Sequence, residues 1–127
     1  MNPHPFPAGS FLHRQGQDLF LEQTSLLALA QTHGTPLFVY SKAAMLEALA
    51  SYQRGLAGRQ ARIHYAMKAN GSLAILQLFA QAGCGFDIVS GGDLTRVLAA
   101  GGDPAGVIFS GVGKSRAEMR DRKSTRL

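Results

Sequence analysis

From Arg62 onward the chain repeats one pattern: a short apolar run, a polar turn, then a helix signal, which is apolar residues at every third or fourth position in the first two repeats and a capping-box spacing in the third. The runs are Arg62-Ile63-His64-Tyr65-Ala66-Met67, Phe86-Asp87-Ile88-Val89 and Val107-Ile108-Phe109-Ser110. Period two is the mark of a strand and period three to four that of a helix. Short loops between such elements predict successive βα units, and βα units build parallel sheets or barrels. No Gly-x-Gly-x-x-Gly follows a strand, which argues against a dinucleotide-binding unit. A complete (β/α)8 barrel needs about 250 residues. The fold class expected is therefore α/β: a parallel sheet, or three βα units of a partial (β/α)8 barrel.

The connecting elements follow from capping residues. Ser72 starts a helix that should bury Ile75, Leu76 and Phe79 before Gly83 stops it. Leu94, Val97 and Leu98 mark the next helix, and Gly101-Gly102-Asp103-Pro104 a turn. Ser115 and Glu118 have capping-box spacing for a third. Upstream, Leu19-Phe20-Leu21 reads as a short strand and Ser25 to Thr32 as a helix stopped by Gly34. Leu37-Phe38-Val39-Tyr40 reads as extended. Ser41 then caps a helix with an apolar stripe of Met45, Leu49, Tyr52 and Leu56, ended by Gly55 and Gly58.

Barrel chemistry gathers at the C-terminal ends of strands. Lys68, Asp87 with Ser90, and Ser110 all fall at or near such ends. Lys68 is the most informative of them. Strand alternation would place it with His64 and Ala66, on the face opposite Ile63, Tyr65 and Met67. A lysine beside a small alanine either reaches solvent as a strand cap or is desolvated for chemistry, such as Schiff-base formation with an aldehyde cofactor. His64 reads as a satisfied core histidine.

Composition narrows the alternatives. The net charge of +5 invites a nucleic-acid reading, but the last seven residues supply +2 of it and no aromatic side chains interleave with them. No nucleic-acid partner is expected. No run of eighteen apolar residues suggests a membrane span. The proline-rich start, Met1-Asn-Pro-His-Pro-Phe-Pro7, lacks the features of a signal peptide. The single cysteine, Cys84, excludes an intrachain disulfide and suits the cytoplasm. It lies between Gly83 and Gly85 with no basic neighbour, so it reads as a turn filler rather than a nucleophile. No metal-ligand spacing of His or Cys appears.

Three segments in order carry a resemblance: Tyr65-Ala-Met-Lys-Ala-Asn70, Gly85-Phe-Asp-Ile-Val-Ser-Gly-Gly-Asp-Leu94 and Phe109-Ser-Gly-Val-Gly-Lys114. With Thr35-Pro-Leu-Phe-Val-Tyr40, they make residues 18 to 120 similar to the N-terminal part of the diaminopimelate decarboxylases, which are fold-type III, alanine-racemase-like enzymes dependent on pyridoxal 5'-phosphate (PLP). The first motif is shared with ornithine and arginine decarboxylases; the other two favour the diaminopimelate branch. The resemblance implies PLP as cofactor, held covalently by Lys68, and decarboxylation of meso-2,6-diaminoheptanedioate to L-lysine and carbon dioxide. It implies a small amino-acid substrate and a homodimer when full length.

Further site residues follow from the resemblance. Ala66 is the small residue that leaves room for the cofactor ring. Asp87 matches an aspartate near the cofactor, or else bonds a neighbouring loop amide. Asp93 stands where relatives carry glutamate; it is a cofactor-proximal carboxylate or an ordinary acid in the first turn of its helix. Lys114 and Ser110 read as a solvated lysine and a strand-end serine. The phosphate-binding glycine loop, the partner of the pyridine nitrogen and the substrate ligands belong downstream of this chain in relatives.

Three domain segments are expected. Residues 1–30 lead in and contribute a strand, around Asp18 to Glu22, to a missing C-terminal β domain. Residues 31–120 form the N-terminal part of the PLP-binding barrel. Residues 121–127 form a non-native tail: Asp121-Arg-Lys-Ser-Thr-Arg-Leu127 is what GATCGGAAGAGCACACGTCTG encodes, part of a common sequencing adapter. A reading frame running off a short insert would produce it. Two other classes compete with the decarboxylase fragment: a non-catalytic PLP-binding relative, and an interaction module that folds alone.

Overall fold

The computed structural model describes residues 11–111. The N-terminal stretch 1–10, Lys114, the helix expected at Ser115 to Glu118 and the tail 121–127 lie outside those residues. The architecture is α/β, and the chain divides into two compact units, 1–50 and 51–127.

The first unit holds an antiparallel sheet of β1 (Leu12–Gln15), β2 (Asp18–Leu21) and β3 (Thr24–Ser25), in that order. Strand β2 was legible in its apolar residues; β1, Leu-His-Arg-Gln, was not. Its local signal is Gly16, whose φ of 66° suits the two-residue loop between Gln15 and Asp18. Helix α1 (Leu26–His33) follows β3 directly. Ser25 Oγ accepts from the Ala28 amide at 3.2 Å, and Gly34, at φ 80°, returns its N–H to Ala30 O at 2.8 Å.

Glu22 turns the chain between β2 and β3 with a φ of 55°, and its carboxylate reaches the start of α2 (Lys42–Gly55). Oε1 accepts from Ser41 Oγ at 2.6 Å and from the Ala43 amide at 3.0 Å, while Ser41 Oγ itself accepts from the Ala44 amide at 2.9 Å. Two of the amides left over at the helix start are thus satisfied. The Ser41 hydroxyl and then the Ala43 amide, assisted by the charge of Lys42 and opposed by slight burial, hold the Glu22 carboxyl below its ordinary value of 4.5. Because the folded value is depressed, its stabilisation is complete above the unfolded pKa and disappears as pH falls through the folded one. Glu22→Gln should therefore lower the thermal midpoint near neutral pH and converge with the parent only once the pH falls below the depressed folded value of this carboxyl. Parallel melting curves for the two proteins at every pH would contradict this linkage.

The second unit is built on a parallel sheet of β4 (His64–Ala66), β5 (Gly85–Ile88) and β6 (Val107–Phe109), in sequence order. The register pairs Tyr65 with Phe86, Ala66 with Asp87, Phe86 with Val107 and Asp87 with Ile108. Helix α3 (Leu73–Gln81) joins the first two strands and α4 (Gly91–Ala99) the second pair. Alternation along β5 divides the sheet into two unlike faces. Phe86, Ile88, Val107 and Phe109 are buried, together with Ile75, Leu76 and Phe79 of α3 and Val97 of α4. Each such side chain contributes about 1.5–3 kcal/mol by leaving water. Tyr65 joins this layer, stacked on Phe79 with centroids 4.4 Å apart. On the other face stand His64, Ala66, Asp87 and Ile108, and Ile108 is 46% exposed.

Several boundaries and contacts differ from expectation. Strand β4 is three residues long, because Met67–Ala69 winds into a 3-10 turn. Leu37 to Tyr40 enters no ladder among the described residues, and Phe38 is 85% exposed. Tyr52, expected in the buried stripe of α2, is 69% exposed. His64 is half-buried on the open face, its ring lying over Gly85, rather than a core residue.

Candidate functional site

The C-terminal ends of β4, β5 and β6 bring the polar residues of the three repeats together. Lys68 follows β4 by two residues. Strand alternation does not decide its direction, since the strand ends at Ala66 and Lys68 occupies the middle of the 3-10 turn. Its neighbour Met67 is buried, at 3% exposure, whereas Lys68 is exposed. The desolvated lysine weighed from the sequence is thus a solvent-accessible amine on an anchored turn.

Ala66 and Asp87 are register partners on the open face. Asp87 is half-buried, and its Oδ1 accepts a hydrogen bond from Ser110 Oγ at 2.5 Å. The Ser110 amide donates to Ile88 O at 3.0 Å, extending the β5–β6 ladder one step and placing its hydroxyl beside the carboxylate. Neither of the partners foreseen for Asp87 included Ser110. Ser110 is thus more than a strand-end serine, and the signal that could have found it is positional. Asp87 pairs with Ile108, and Ser110 stands two residues beyond on the same face.

Asp93 has a defined structural task. Its Oδ2 accepts from the amides of Val89, at 3.1 Å, and Ser90, at 3.2 Å, while the Asp93 amide donates to Ser90 Oγ at 3.2 Å. This reciprocal capping box starts α4 immediately after the strand that carries Asp87. Of the two roles weighed for Asp93, the geometry displays the one at the helix start.

The stretch just after the turn that bears Lys68 is tied down by three hydrogen bonds. Tyr65 Oη donates to Asn70 O at 3.2 Å, Asn70 Oδ1 accepts from the Ser72 amide at 2.9 Å, and Arg96 Nη1 donates to Gly71 O at 3.1 Å. Gly111, just past Ser110, approaches the β5 end closely: a Cβ there would come within 2.6 Å of Val89 O. Cys84 stands at the opposite end of the sheet, before β5, and is 6% exposed. Burial pushes its thiol up, with Arg62 opposing, so it stays protonated as a packing residue. Among the described residues no cluster of three or more His, Cys, Asp or Glu could hold a metal ion, and no helix is long and apolar enough to cross a membrane.

An accessible primary amine, a small neighbour and a hydrogen-bonded carboxylate at the C-terminal end of one sheet suit a covalently held aldehyde cofactor. Residues 25–127 match the family described as the pyridoxal binding domain of pyridoxal-dependent decarboxylases. The chain is 57% identical over 101 residues to the diaminopimelate decarboxylase of Neisseria meningitidis serogroup B, an alignment covering 80% of this chain and 24% of the relative. It superposes on the crystal structure of diaminopimelate decarboxylase from M. jannaschii with a TM-score of 0.86 at 28% identity, covering 92% of this chain and 28% of that one. For the Helicobacter pylori diaminopimelate decarboxylase, crystallised with L-lysine, the TM-score is 0.75 at 40% identity, with 80% and 26% covered. The chain spans about a quarter of the length of the curated relatives it matches. It belongs to the pyridoxal-dependent decarboxylases and carries residues of their pyridoxal-binding domain.

Proposed function

We propose that this chain is the lysine-bearing part of a diaminopimelate decarboxylase, which converts meso-2,6-diaminoheptanedioate to L-lysine and carbon dioxide. The observation that carries the proposal is the strand-end turn with Lys68 beside the Ala66–Asp87 pair, within a sequence 57% identical to such an enzyme over 101 residues. Lys68 would hold PLP through its ε-amine, and Ala66 leaves space on the open face. Bound PLP supplies an electron sink for the charge left when carbon dioxide departs. Asp87 presents a carboxylate that Ser110 holds in one orientation, beside the strand that leads to the lysine. Lys68 would also place at this site an amine suited to carrying a proton. Asp93 supports this arrangement by fixing the start of α4.

The same reading extends to architecture. Strands β4 to β6 with helices α3 and α4 are the beginning of a (β/α)8 barrel, because a parallel sheet with one open face and exposed edges requires further strands to cover it. The separate antiparallel sheet, β1 to β3, is the part of residues 1–30 that joins a β domain in the complete protein. Residues 31–120 belong to the barrel. The complete enzyme works as a cytoplasmic homodimer on a small amino acid.

The test is an assay of the full-length protein containing this segment, supplied with PLP. It should release carbon dioxide and L-lysine from meso-2,6-diaminoheptanedioate and leave ornithine and arginine unchanged. Preferred turnover of ornithine or arginine would overturn the substrate assignment. The isolated 127-residue chain, with three strands of the barrel, should show no turnover and should tend to aggregate through its open sheet edges. Decarboxylation by the purified isolated chain at ordinary enzyme rates would contradict its being part of a larger catalytic unit.

A further inference from the structure

Because Lys68 rides on a turn, its position depends on what holds that turn. The stretch just after the turn is held first from within: the ring of Tyr65, stacked on Phe79 and edge-on to Phe86 at 6.4 Å, aims its hydroxyl at Asn70 O. The next residue is held from a distant element. Arg96, 25 residues along the chain from Gly71, reaches back from α4 to that residue's carbonyl. Helix α4 is itself anchored one turn earlier, where Asp93 binds the amides of Val89 and Ser90. A single helix therefore touches the loops after both strands of the site. Its first turn grips the loop following Asp87, and Arg96 grips the one following Lys68.

We infer that Arg96 is a positioning residue that sets the Lys68 turn relative to Asp87, using α4 as a strut. The inference rests on the reading of Lys68 as the cofactor-bearing lysine. A guanidinium is suited to the task because its planar donor array loses little freedom on forming a bond and never deprotonates near neutrality. A lysine at position 96 keeps a donor and a charge but not the fork, so it should restore part of the effect. A methionine keeps the length of the stem and removes every donor.

The experiment uses the full-length protein loaded with PLP and compares Arg96→Met, Arg96→Lys and Arg62→Met with the parent. Arg62 makes an exposed ion pair with Asp103 at 3.4 Å, so its variant controls for loss of a surface contact. The readouts are kcat and KM, the rate at which borohydride fixes the cofactor to the peptide containing Lys68, and the thermal midpoint. Arg96→Met should lower kcat about tenfold, because a displaced reacting group costs rate. It should leave KM within about twofold, since ground-state binding is not touched. Fixation at Lys68 should slow severalfold, Arg96→Lys should recover at least half of both effects, and Arg62→Met should match the parent. Two outcomes overturn the inference: Arg96→Met with parental kcat and fixation rate, or losses of kcat in Arg96→Met and Arg62→Met that simply track their losses of thermal midpoint. If the parent itself is fixed at a lysine other than Lys68, the proposed function fails as well. An indifferent Arg96→Met in a parent fixed at Lys68 removes this inference alone.

Discussion

Lys68→Ala in the full-length protein should abolish borohydride fixation of PLP and lower turnover by about 10³-fold, since proton transfer by a positioned side chain alone is worth about 10²–10⁴-fold. The substitution removes the covalent attachment and the amine together. The parent, by contrast, should be yellow and should yield one labelled peptide, the one containing Lys68. Lys68→Arg should fare little better than alanine, because a guanidinium stays protonated near neutral pH and cannot condense with an aldehyde. Lys114→Ala should alter substrate affinity at most. Labelling at Lys42 or Lys114, or parental activity in Lys68→Ala, would show that the lysine has been misassigned. Of the two lysines among the described residues, Lys42 and Lys68, Lys68 is the one that follows a strand of the parallel sheet.

Gly85→Ala should destabilise the full-length protein by about 3 kcal/mol, at the upper end of the usual cost of overpacking. The reason is not backbone conformation, since Gly85 is absent from the glycines with positive φ. It is space. A Cβ at Gly85 would lie 2.3 Å from His64 Cδ2 and 2.5 Å from Gly106 O. The first residue of the central strand is thus pressed between the side chain of β4 and the backbone that leads into β6. Moving the carbonyl means moving β6. Gly106→Ala is the contrast: its nearest neighbours, from 2.3 Å, are all atoms of the Arg62 guanidinium, which can swing into solvent. Losing that exposed ion pair costs at most about 1 kcal/mol. Chemical denaturation should rank Gly85→Ala well below Gly106→Ala in stability. Equal midpoints would mean that β4, β5 and β6 do not pack as closely at this end.

Much of the second unit was legible before any coordinates. Phe86 and Ile88 flank the polar Asp87, and the burial follows that alternation because a strand has only two faces; in the wholly apolar Val107-Ile108-Phe109 it was the register that left Ile108 exposed. Ile75, Leu76 and Phe79 recur at helical spacing and are buried for the corresponding reason. Tyr52 shows the limit. It keeps the spacing of Met45 and Leu49, yet spacing reports which residues share a helix face, not whether anything covers that face. The strand β1 was missed on similar grounds, since its residues are mostly exposed and its hairpin depends on pairing rather than on an apolar pattern.

The candidate site divides in the same way. Local chemistry was enough to single out Lys68 at a strand end and a carboxylate in the first turn of α4, because turns, caps and periodicity act over a few residues. Three features required the assembled sheet: the 3-10 turn that ends β4 before Lys68, the bond from Ser110 to Asp87 across 23 residues, and that from Arg96 to Gly71 across 25. Contacts of that separation depend on register and on where a helix lands against its neighbours. Residue type alone leaves both of these open, whereas packing one face of the sheet against α3 and α4 settles them together.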